Sequence, residues 1–417
     1  MRGKMSVLAA CLVLCAAVHV VSAKDPASLA TGDAGEPVSN TAVDQAIRLA
    51  ADYTKRNCDG TGKFVYRVNL KTHQSSSHYD PLRHAGTMYG LGMYNHYVAD
   101  SNAVAAMVRA GGLLRSQYME RGPKPDLQCL IVWSSPPTNW GPFSRGALTT
   151  DLGGNGLGLI ALTELDKVQP EWISVADLEA MGRFILRLQK ADGSFYHRFR
   201  DQRGPVKNWE CLYYPGEAAC GLISLYEADH SQEWLNAAGK ALSYLAKSRV
   251  GMQTVPDDHW ALMATARLLP YYNPSNCPAT RAELVHHAVQ ICQAMLSEQV
   301  TNAPDSNLNG AFNEDGRTTP TATRLEGLLA ALEFLPDDQG KLREQVNVCV
   351  RRGINFLLRA QFKTGEYAGG MPGAIARKSG KDAQSAAFEP KDIRIDYVQH
   401  AMCAMIRFQK LFPAGGK

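Results

Sequence analysis

The chain has 417 residues with a formal net charge of +4 at pH 7, and 45% of them are hydrophobic. This length suits one large domain or two ordinary ones, and the lack of basic runs argues against a nucleic-acid partner. Beyond the amino-terminal leader, no segment reaches the roughly eighteen consecutive apolar residues of a membrane-spanning helix, so we expect no membrane span.

The chain begins with the pattern of a secretory signal peptide. Arg2 gives it a basic start, an apolar run follows, and small residues precede a cleavage site after Ala23. We predict that residues 1–23 are removed, that residues 24–40 form a flexible lead-in, and that the protein is secreted or periplasmic. A lipoprotein with Cys11 as its lipidated residue is less favoured, because apolar sequence continues beyond that cysteine.

Twelve segments place apolar residues three and four positions apart, as the buried face of a helix requires. Leu178, Met181, Ile185 and Leu188 show this spacing in one of them. The predicted helices are 43–57, 81–98, 101–119, 154–166, 174–190, 216–228, 231–247, 258–270, 279–299, 321–335, 340–361 and 394–412. Short strands are predicted as hairpins over the loops, at 63–70, 129–133 and 194–199.

Two kinds of helical segment alternate along the chain. Those starting near residues 81, 154, 216, 258, 321 and 394 are rich in glycine, alanine and short apolar residues, which allow close helix packing. Those between them, such as 238–249 and 341–361, carry lysine, arginine and glutamine on one side, as solvent-facing helices do. We therefore predict an all-α fold over residues 41–413, a single (α/α)6 toroid domain of six helical hairpins with an inner and an outer ring.

The cysteines give no metal-binding pattern. Cleavage of the leader would leave eight of the ten, an even set that could pair in an oxidising compartment. Cys220 and Cys403 lie in apolar helical patterns, where a buried free thiol is an equal alternative. Because no close Cys/His spacing fits zinc, we predict no metal and no cofactor.

Three segments repeat a polar residue, a glycine-containing turn and an aromatic: LQKADGSF (188–195), AQFKTGEY (360–367) and, more loosely, RNCDGTGKF (56–64). With the alternating helices, they make residues 43–412 resemble the six-hairpin glycosidase and terpenoid-cyclase-like toroid superfamilies. The DxDD motif of squalene-type cyclases and the zinc set of lanthionine cyclases are missing. The resemblance implies that substrate enters where the amino ends of the inner helices converge.

Three carboxylates on that predicted rim are candidates for catalysis. Glu217 follows Pro215 at a helix start, where a carboxyl can act as general acid or base or simply complement the helix dipole. We predict that Asp257 caps the next inner helix and leaves Asp258 as the second carboxylate. Asp151 is a third candidate, although it also fits the cap of an ordinary glycine-rich turn.

The remaining rim residues are predicted to bind substrate. Arginine suits the carboxylate of an anionic sugar such as a uronate, and aromatic faces hold sugar rings. The alternatives are a structural latch of Arg83 or Arg394 with Asp80 or Asp396, satisfied buried histidines, aromatic core, and a plain salt bridge of Arg324 with Glu326. The predicted substrate-binding residues are Arg83, His84, Trp209, Tyr214, His259, Trp260, Arg394, Asp396 and His400.

These residues favour an exported carbohydrate-active enzyme acting on a polysaccharide or oligosaccharide. In the leading hypothesis, Glu217 and Asp258 hydrolyse a glycosidic bond. The first alternative is a uronate lyase or C5-epimerase in which Tyr214 or His84 removes a proton beside a carboxylate held by Arg83. The others are a terpenoid-cyclase-like toroid and a non-catalytic toroid that binds a glycan or a protein. The expected partner is a glycan, and no oligomeric state is predicted.

Overall fold

The computed structural model describes residues 37–123, 128–141, 144–375 and 392–414. The predicted signal peptide and most of the predicted lead-in lie outside the described residues. Within them the chain forms twelve α-helices. They are α1 Asn40–Arg56, α2 Pro81–Tyr97, α3 Ser101–Leu113, α4 Leu152–Val168, α5 Val175–Leu188, α6 Tyr214–Asp229, α7 Gln232–Ser248, α8 His259–Leu268, α9 Arg281–Glu298, α10 Thr318–Leu332, α11 Gly340–Ala360 and α12 Ile395–Leu411.

The even-numbered helices form a closed inner ring. Each packs on the next even-numbered helix, and α12 returns to α2, while the odd-numbered helices pack outside them. The predicted (α/α)6 toroid is confirmed, including which helices are inner and which are outer. None of the described helices is both long and apolar enough to cross a bilayer.

Small residues allow the inner helices to approach closely. A Cβ on Gly156 of α4 would lie 2.7 Å from the Glu217 carbonyl of α6, and one on Gly216 would lie 2.6 Å from the backbone of Trp260 in α8. Real side chains do not fit such distances, so the glycines fix the spacing of three consecutive inner helices.

The strands are short and lie in the loops between the helices, where they pair one loop segment with another. They are β1 Arg67–Asn69, β2 Met119–Gly122, β3 Cys129–Val132, β4 Thr149–Asp151, β5 Arg198–Arg200, β6 Gly204–Pro205 and β7 Asp392–Arg394. β2 and β3 form an antiparallel hairpin, and β5 lies between β4 and β6. The predicted hairpin at 63–70 is present in part: β1 turns back on residues 74–76, where the Ser76 amide donates to the Arg67 carbonyl at 2.8 Å. β1 also pairs with β7, so that Arg67 lies opposite Arg394 just before α12.

Two predicted helix boundaries also differ. The segment predicted at 101–119 ends as an α-helix at Leu113 and continues as a π-helical turn, Leu114–Tyr118. The cap of α8 is Asp258, whose carboxylate accepts from the Ala261 amide at 3.0 Å. The assignment of this cap to Asp257 is therefore wrong.

A glutamine at the end of three outer helices clamps the next outer helix. The Gln189 side-chain amide donates to the Ala237 carbonyl of α7 at 2.9 Å, and that of Gln299 donates to Cys349 of α11 at 2.8 Å. Gln361 closes the circle by donating to Ala46 of α1 at 2.9 Å. Two of these clamps belong to the repeated turns noted in the sequence.

The clamps at Gln189 and Gln361 each include a glycine that no other residue could replace. Gly193 and Gly369 have φ of 92° and 86°, and a Cβ on either would lie within 2.4 Å of a carbonyl oxygen of the neighbouring outer helix. The repeated turn is therefore a device that fastens one hairpin to the next.

The cysteines of the described residues are free thiols, and all of them except Cys211 are buried. Cys220 and Cys403 lie on the inner helices α6 and α12, as the buried-thiol alternative expected.

Candidate functional site

A cavity of about 510 Å³ opens where the amino ends of all six inner helices meet. This is the size of pocket that takes a small molecule. Its polar and aromatic lining includes Asp80, Arg83, Tyr213, Tyr214, Glu217, His259, Trp260, Arg317, Thr319, Arg324, Arg394, Asp396, Gln399 and His400.

Several buried polar atoms of this lining have no hydrogen-bond partner within the described part of the chain. They are Oε2 of Glu217, Oγ1 of Thr319 and both ring nitrogens of His259. Native proteins rarely leave such atoms unpaired away from binding sites. Their convergence on one cavity indicates a site built for a polar ligand.

Glu217 is held in its neutral form. It lies in the first turn of α6 with a side chain that is nearly inaccessible to water. Burial, with smaller contributions from the charges of Asp258 and Asp80, raises the pKa of its carboxyl to about 8. At neutral pH it is therefore a proton donor, and the predicted catalytic candidate lines the cavity.

Glycine at position 153 makes room for that carboxyl. A Cβ there would lie 2.0 Å from Glu217 Oε2 and 2.4 Å from the Tyr214 ring. Tyr214 lines the cavity beside Glu217, and its hydroxyl donates to Asp151 at 3.4 Å. Burial, and then the nearby carboxylates of Asp151 and Glu217, raise the pKa of Tyr214, so the phenol stays protonated.

His259 is a neutral imidazole in the cavity wall. It is the first residue of α8 and is buried against Tyr213, with ring centroids 4.7 Å apart. Burial, followed by repulsion from His400 and Arg324, places the pKa of His259 well below its ordinary value. A neutral ring offers one nitrogen lone pair and one N–H. Trp260, also in the wall, follows it.

His400 lies next to His259 in the cavity lining. Their ring centroids are 6.0 Å apart and nearly perpendicular. His400 Nδ1 lies 2.7 Å from Oε1 of Glu326, a fully buried carboxyl on α10. Donation from Nδ1 to Glu326 leaves Nε2 with the lone pair, so the pair has the geometry of a base held by its orienting group.

The sequence placed Glu326 on the rim but favoured a plain salt bridge with Arg324, and so missed its contact with His400. Arg324 instead binds Asp257 and, at 2.6 Å, Glu298. One sequence signal could have predicted this contact: Glu326 lies between Leu325 and Gly327 on a helix that is buried on most sides, and a buried carboxyl needs a hydrogen-bond partner.

Arg83, Arg394 and Asp396 form the predicted latch where α12 meets α2. Arg394 grips both oxygens of Asp396 at 2.5 and 2.8 Å, and Arg83 reaches Asp396 at 3.2 Å and Asp80 at 2.5 Å. Although burial acts to raise it, the pKa of Asp396 is lowered by these two guanidinium groups. The same residues line the cavity, so the latch also forms one wall of the site.

Four predicted site residues lie outside this cavity wall. Both nitrogens of His84 are occupied, Nδ1 by the Tyr79 hydroxyl at 2.7 Å and Nε2 by the Ala110 carbonyl at 2.9 Å, and burial lowers its pKa to about 4. The substrate-binding prediction for His84 is wrong, since it is a satisfied core histidine. The others are Asp258, Asp151 and Trp209.

Asp258 is a structural residue. It is fully buried, and beyond capping α8 its carboxylate accepts from Arg249 at 2.8 Å. Arg249 lies in turn 3.1 Å from the ring of His287. Its prediction as second catalytic carboxylate therefore does not match its position behind His259.

Asp151 and Trp209 lie beside the cavity. Arg198 binds Asp151 through two contacts of 2.6 and 3.0 Å, and its guanidinium covers the Trp209 ring at 3.7 Å. The Asp151 side chain makes no cap bond to α4, contrary to the alternative considered for it. It lines a smaller pocket next to the cavity.

Groups of three or more histidine, cysteine or carboxylate side chains with metal-binding geometry are not found among the described residues. The histidines and Glu217 of the cavity instead have the arrangement of acid and base groups.

Solved structures share this fold at low sequence identity. A cellobiose 2-epimerase from Bacillus thermoamylovorans is 12% identical, with a TM-score of 0.63 over 89% of this chain and 100% of its own. A GH76 α-mannanase from Bacteroides thetaiotaomicron is 12% identical, with a TM-score of 0.61 over 91% and 99%. A D-mannose isomerase is 10% identical, with a TM-score of 0.61 over 89% and 99%.

The shared fold is the (α/α)6 toroid. These three neighbours are all enzymes with that architecture. No family model matches the chain, and no curated protein matches it in sequence.

Proposed function

We propose that this protein is a carbohydrate-active enzyme that transfers a proton at a carbon atom of a sugar, an epimerase or an aldose–ketose isomerase. The observation that carries this proposal is the pair of imidazoles, His259 of α8 and His400 of α12, which line one cavity with ring centroids 6.0 Å apart. Two imidazoles supplied by different helices can act as base and acid on the same bound carbon.

The chemistry begins with the open-chain form of an aldose. His400 Nε2 removes the proton from C2, the C–H electrons form the C1–C2 double bond, and the carbonyl electrons move to O1. In epimerisation the neutral His259 ring gives its N–H proton to the other face of C2, the O1 electrons re-form the carbonyl, and the proton held by His400 passes through solvent back to His259. In isomerisation the proton held by His400 is added at C1, the C2 carbonyl forms at O2, and the O2 proton passes to O1, which leaves a ketose.

Glu217 has the right form to assist this step. Its neutral, buried carboxyl can donate a hydrogen bond to the oxygen on which negative charge develops. Glu326 stabilises the imidazolium of His400 once the proton has arrived. Two of the structural neighbours, a cellobiose 2-epimerase and a D-mannose isomerase, carry names that describe this class of reaction.

Glycoside hydrolysis is the second candidate, and the raised pKa of Glu217 favours it because the reaction needs a protonated acid. Its second requirement is a free carboxylate. The other carboxylates of the described lining, Asp80 and Asp396, are both bound by Arg83. Lyase or C5-epimerase chemistry with His84 as base is not retained, since both of its ring nitrogens are occupied.

Deuterium exchange tests the proposal directly. The purified protein is incubated in D₂O with glucose, mannose and their β-1,4- and α-1,6-linked disaccharides, and proton NMR follows the C2 proton. We expect loss of the C2 proton signal and formation of an epimer or ketose without release of monosaccharide. His400→Ala and His259→Ala should each reduce exchange by about 10²-fold or more.

His286→Gln is the matched control, because His286 is exposed on the outer helix α9. It should exchange at the wild-type rate. Release of reducing ends from the disaccharides with no deuterium at C2 would refute the proposal and support hydrolysis.

We also propose that the protein is exported after cleavage near Ala23. Amino-terminal sequencing of the mature protein from its native source should begin at Lys24, and an uncleaved leader would contradict this.

A further inference from the structure

A second pocket adjoins the cavity. It has a volume of about 190 Å³, lies between the start of α2, the start of α4 and the loop after β3, and shares Asp80, Leu82 and Tyr214 with the larger cavity. A shared wall of three residues makes the two spaces neighbouring compartments. We call the smaller one the side pocket.

The side pocket has a polar lining, and the negative charge of its Asp151 carboxylate is balanced by an arginine. Its Asp151 carboxylate is neutralised by the two contacts from Arg198, which lies outside the pocket lining. A carboxylate has about four lone-pair positions, and Arg198 and the Tyr214 hydroxyl use three of them, so Asp151 can still accept from one ligand hydroxyl. His78 and Ser134 add further polar groups. A neutral ligand with several hydroxyl groups fits this lining better than an ion does.

The faces of the pocket suit a ring. Tyr79 and Tyr214 line it together with the polar groups, and sugar rings commonly bind against aromatic faces. At its wall Gly154 has no side chain, and a Cβ there would meet only Leu82, at 3.8 Å. The pocket therefore extends to the backbone of α4.

The junction of the two compartments is Tyr214, three residues before Glu217 on α6. His259 belongs to α8, which packs on α6, and His400 belongs to α12, which packs on α2; neither helix lines the side pocket. A ligand that fills both compartments would therefore extend from the histidines past Tyr214 to Asp151.

We propose that the side pocket is a second sugar subsite, so that the substrate is a disaccharide or a longer oligosaccharide whose reacting unit lies in the larger cavity against His259 and His400. This inference rests on the proposed function, in which the larger cavity takes one sugar unit. The neighbouring ring donates one hydroxyl to Asp151 and lies against Tyr214. The subsite gives specificity for chain length and takes no part in the proton transfer.

Filling the side pocket tests this inference. Gly154→Leu places a side chain in the pocket from α4, and Ser134→Phe does so from the opposite loop, in case the helix variant fails to fold. Binding is measured by calorimetry for glucose, mannose and their β-1,4-, α-1,4- and α-1,6-linked disaccharides, and deuterium exchange at C2 is measured on the same panel. Gly112→Leu, at an open position on α3, is the matched control.

We expect wild type to prefer at least one disaccharide over its monosaccharide by tenfold or more. Either pocket-filling variant should remove that preference, and Gly112→Leu should keep it. Equal affinity for both classes in wild type, or a preference that survives both variants, would overturn the inference. Disaccharide binding that the variants remove, without any C2 exchange, would refute the proposed reaction and leave the subsite standing.

Discussion

Glu217→Gln should make the protein more stable at neutral pH while removing the proposed proton donor. The wild-type carboxyl is neutral when folded, with its pKa raised from 4.5 to about 8, and ionised when unfolded at pH 7. Its contribution to stability is thus fully present below pH 4.5 and is lost as pH rises through 8. Glutamine has nearly the same shape and does not titrate.

The size of the effect follows from those two values. Each pH unit between them removes about 1.4 kcal/mol of wild-type stability. The quantity to compare is the free energy of unfolding of Glu217→Gln minus that of wild type. At pH 7, some 2.5 units above 4.5, this difference should be larger than at pH 4 by on the order of 3 kcal/mol, and at pH 8 and above by on the order of 5 kcal/mol. Gains of this size are unusual for one substitution.

Urea unfolding followed by tryptophan fluorescence, from pH 4 to pH 8.5, measures this difference. Glu344→Gln makes the same chemical change on an exposed position of α11 and should show no comparable pH trend. A difference between Glu217→Gln and wild type that is constant across this range would show that Glu217 is ionised in the folded protein. The assignment of Glu217 as a proton donor would then be wrong.

Three further variants probe the site and the ring. Gly153→Ala should reduce kcat for C2 exchange by about 10²-fold, because its Cβ would lie 2.0 Å from Glu217 Oε2. Gly154→Ala, whose Cβ would have its nearest contact at 3.8 Å, should be close to wild type, and equal rates for the two variants would contradict this. Glu326→Gln should lower kcat by about 10²-fold with little change in KM, and an unchanged kcat would remove Glu326 from the mechanism. Gln361→Ala should lower the free energy of unfolding in urea by about 2 kcal/mol, because it loses the hydrogen bond to Ala46. Gln232→Ala, at the exposed start of α7, should lower it by less than about 0.5 kcal/mol, and equal losses for the two variants would refute the clamp.

The ring architecture was predictable because it is encoded locally. Glycines such as Gly156 and Gly216 lie within the inner segments themselves, and the outer segments show the one-sided polarity of solvent-facing helices. The repeated glutamine turns at 188–195 and 360–367 are likewise local. The third clamp, at Gln299, lacks the aromatic spacing of the other two, so the repeat did not predict it.

The site was less predictable, because long-range partners decide the role of each residue. Asp257 and Asp258 are equally able to cap a helix, and only Arg324 beside the first and Arg249 beside the second distinguish them. The prediction chose the wrong residue of the two as the cap, and neither carboxylate lines the cavity. His400 and Glu326 are 74 positions apart, and nothing in the local sequence joins them.

Ring closure and the chemistry of the site depend on the same helix. α12 supplies His400 to Glu326 of α10 and Asp396 to Arg83 of α2, and so connects the last inner hairpin to the first across the cavity. A weakened clamp at Gln361, which fastens α11 to α1, acts next to this connection because α1 packs on α12. Loosening of α1 should therefore separate the imidazoles before the rest of the ring unfolds. The activity of Gln361→Ala should accordingly fall at lower urea concentrations than its fluorescence does, whereas in wild type the two transitions should coincide.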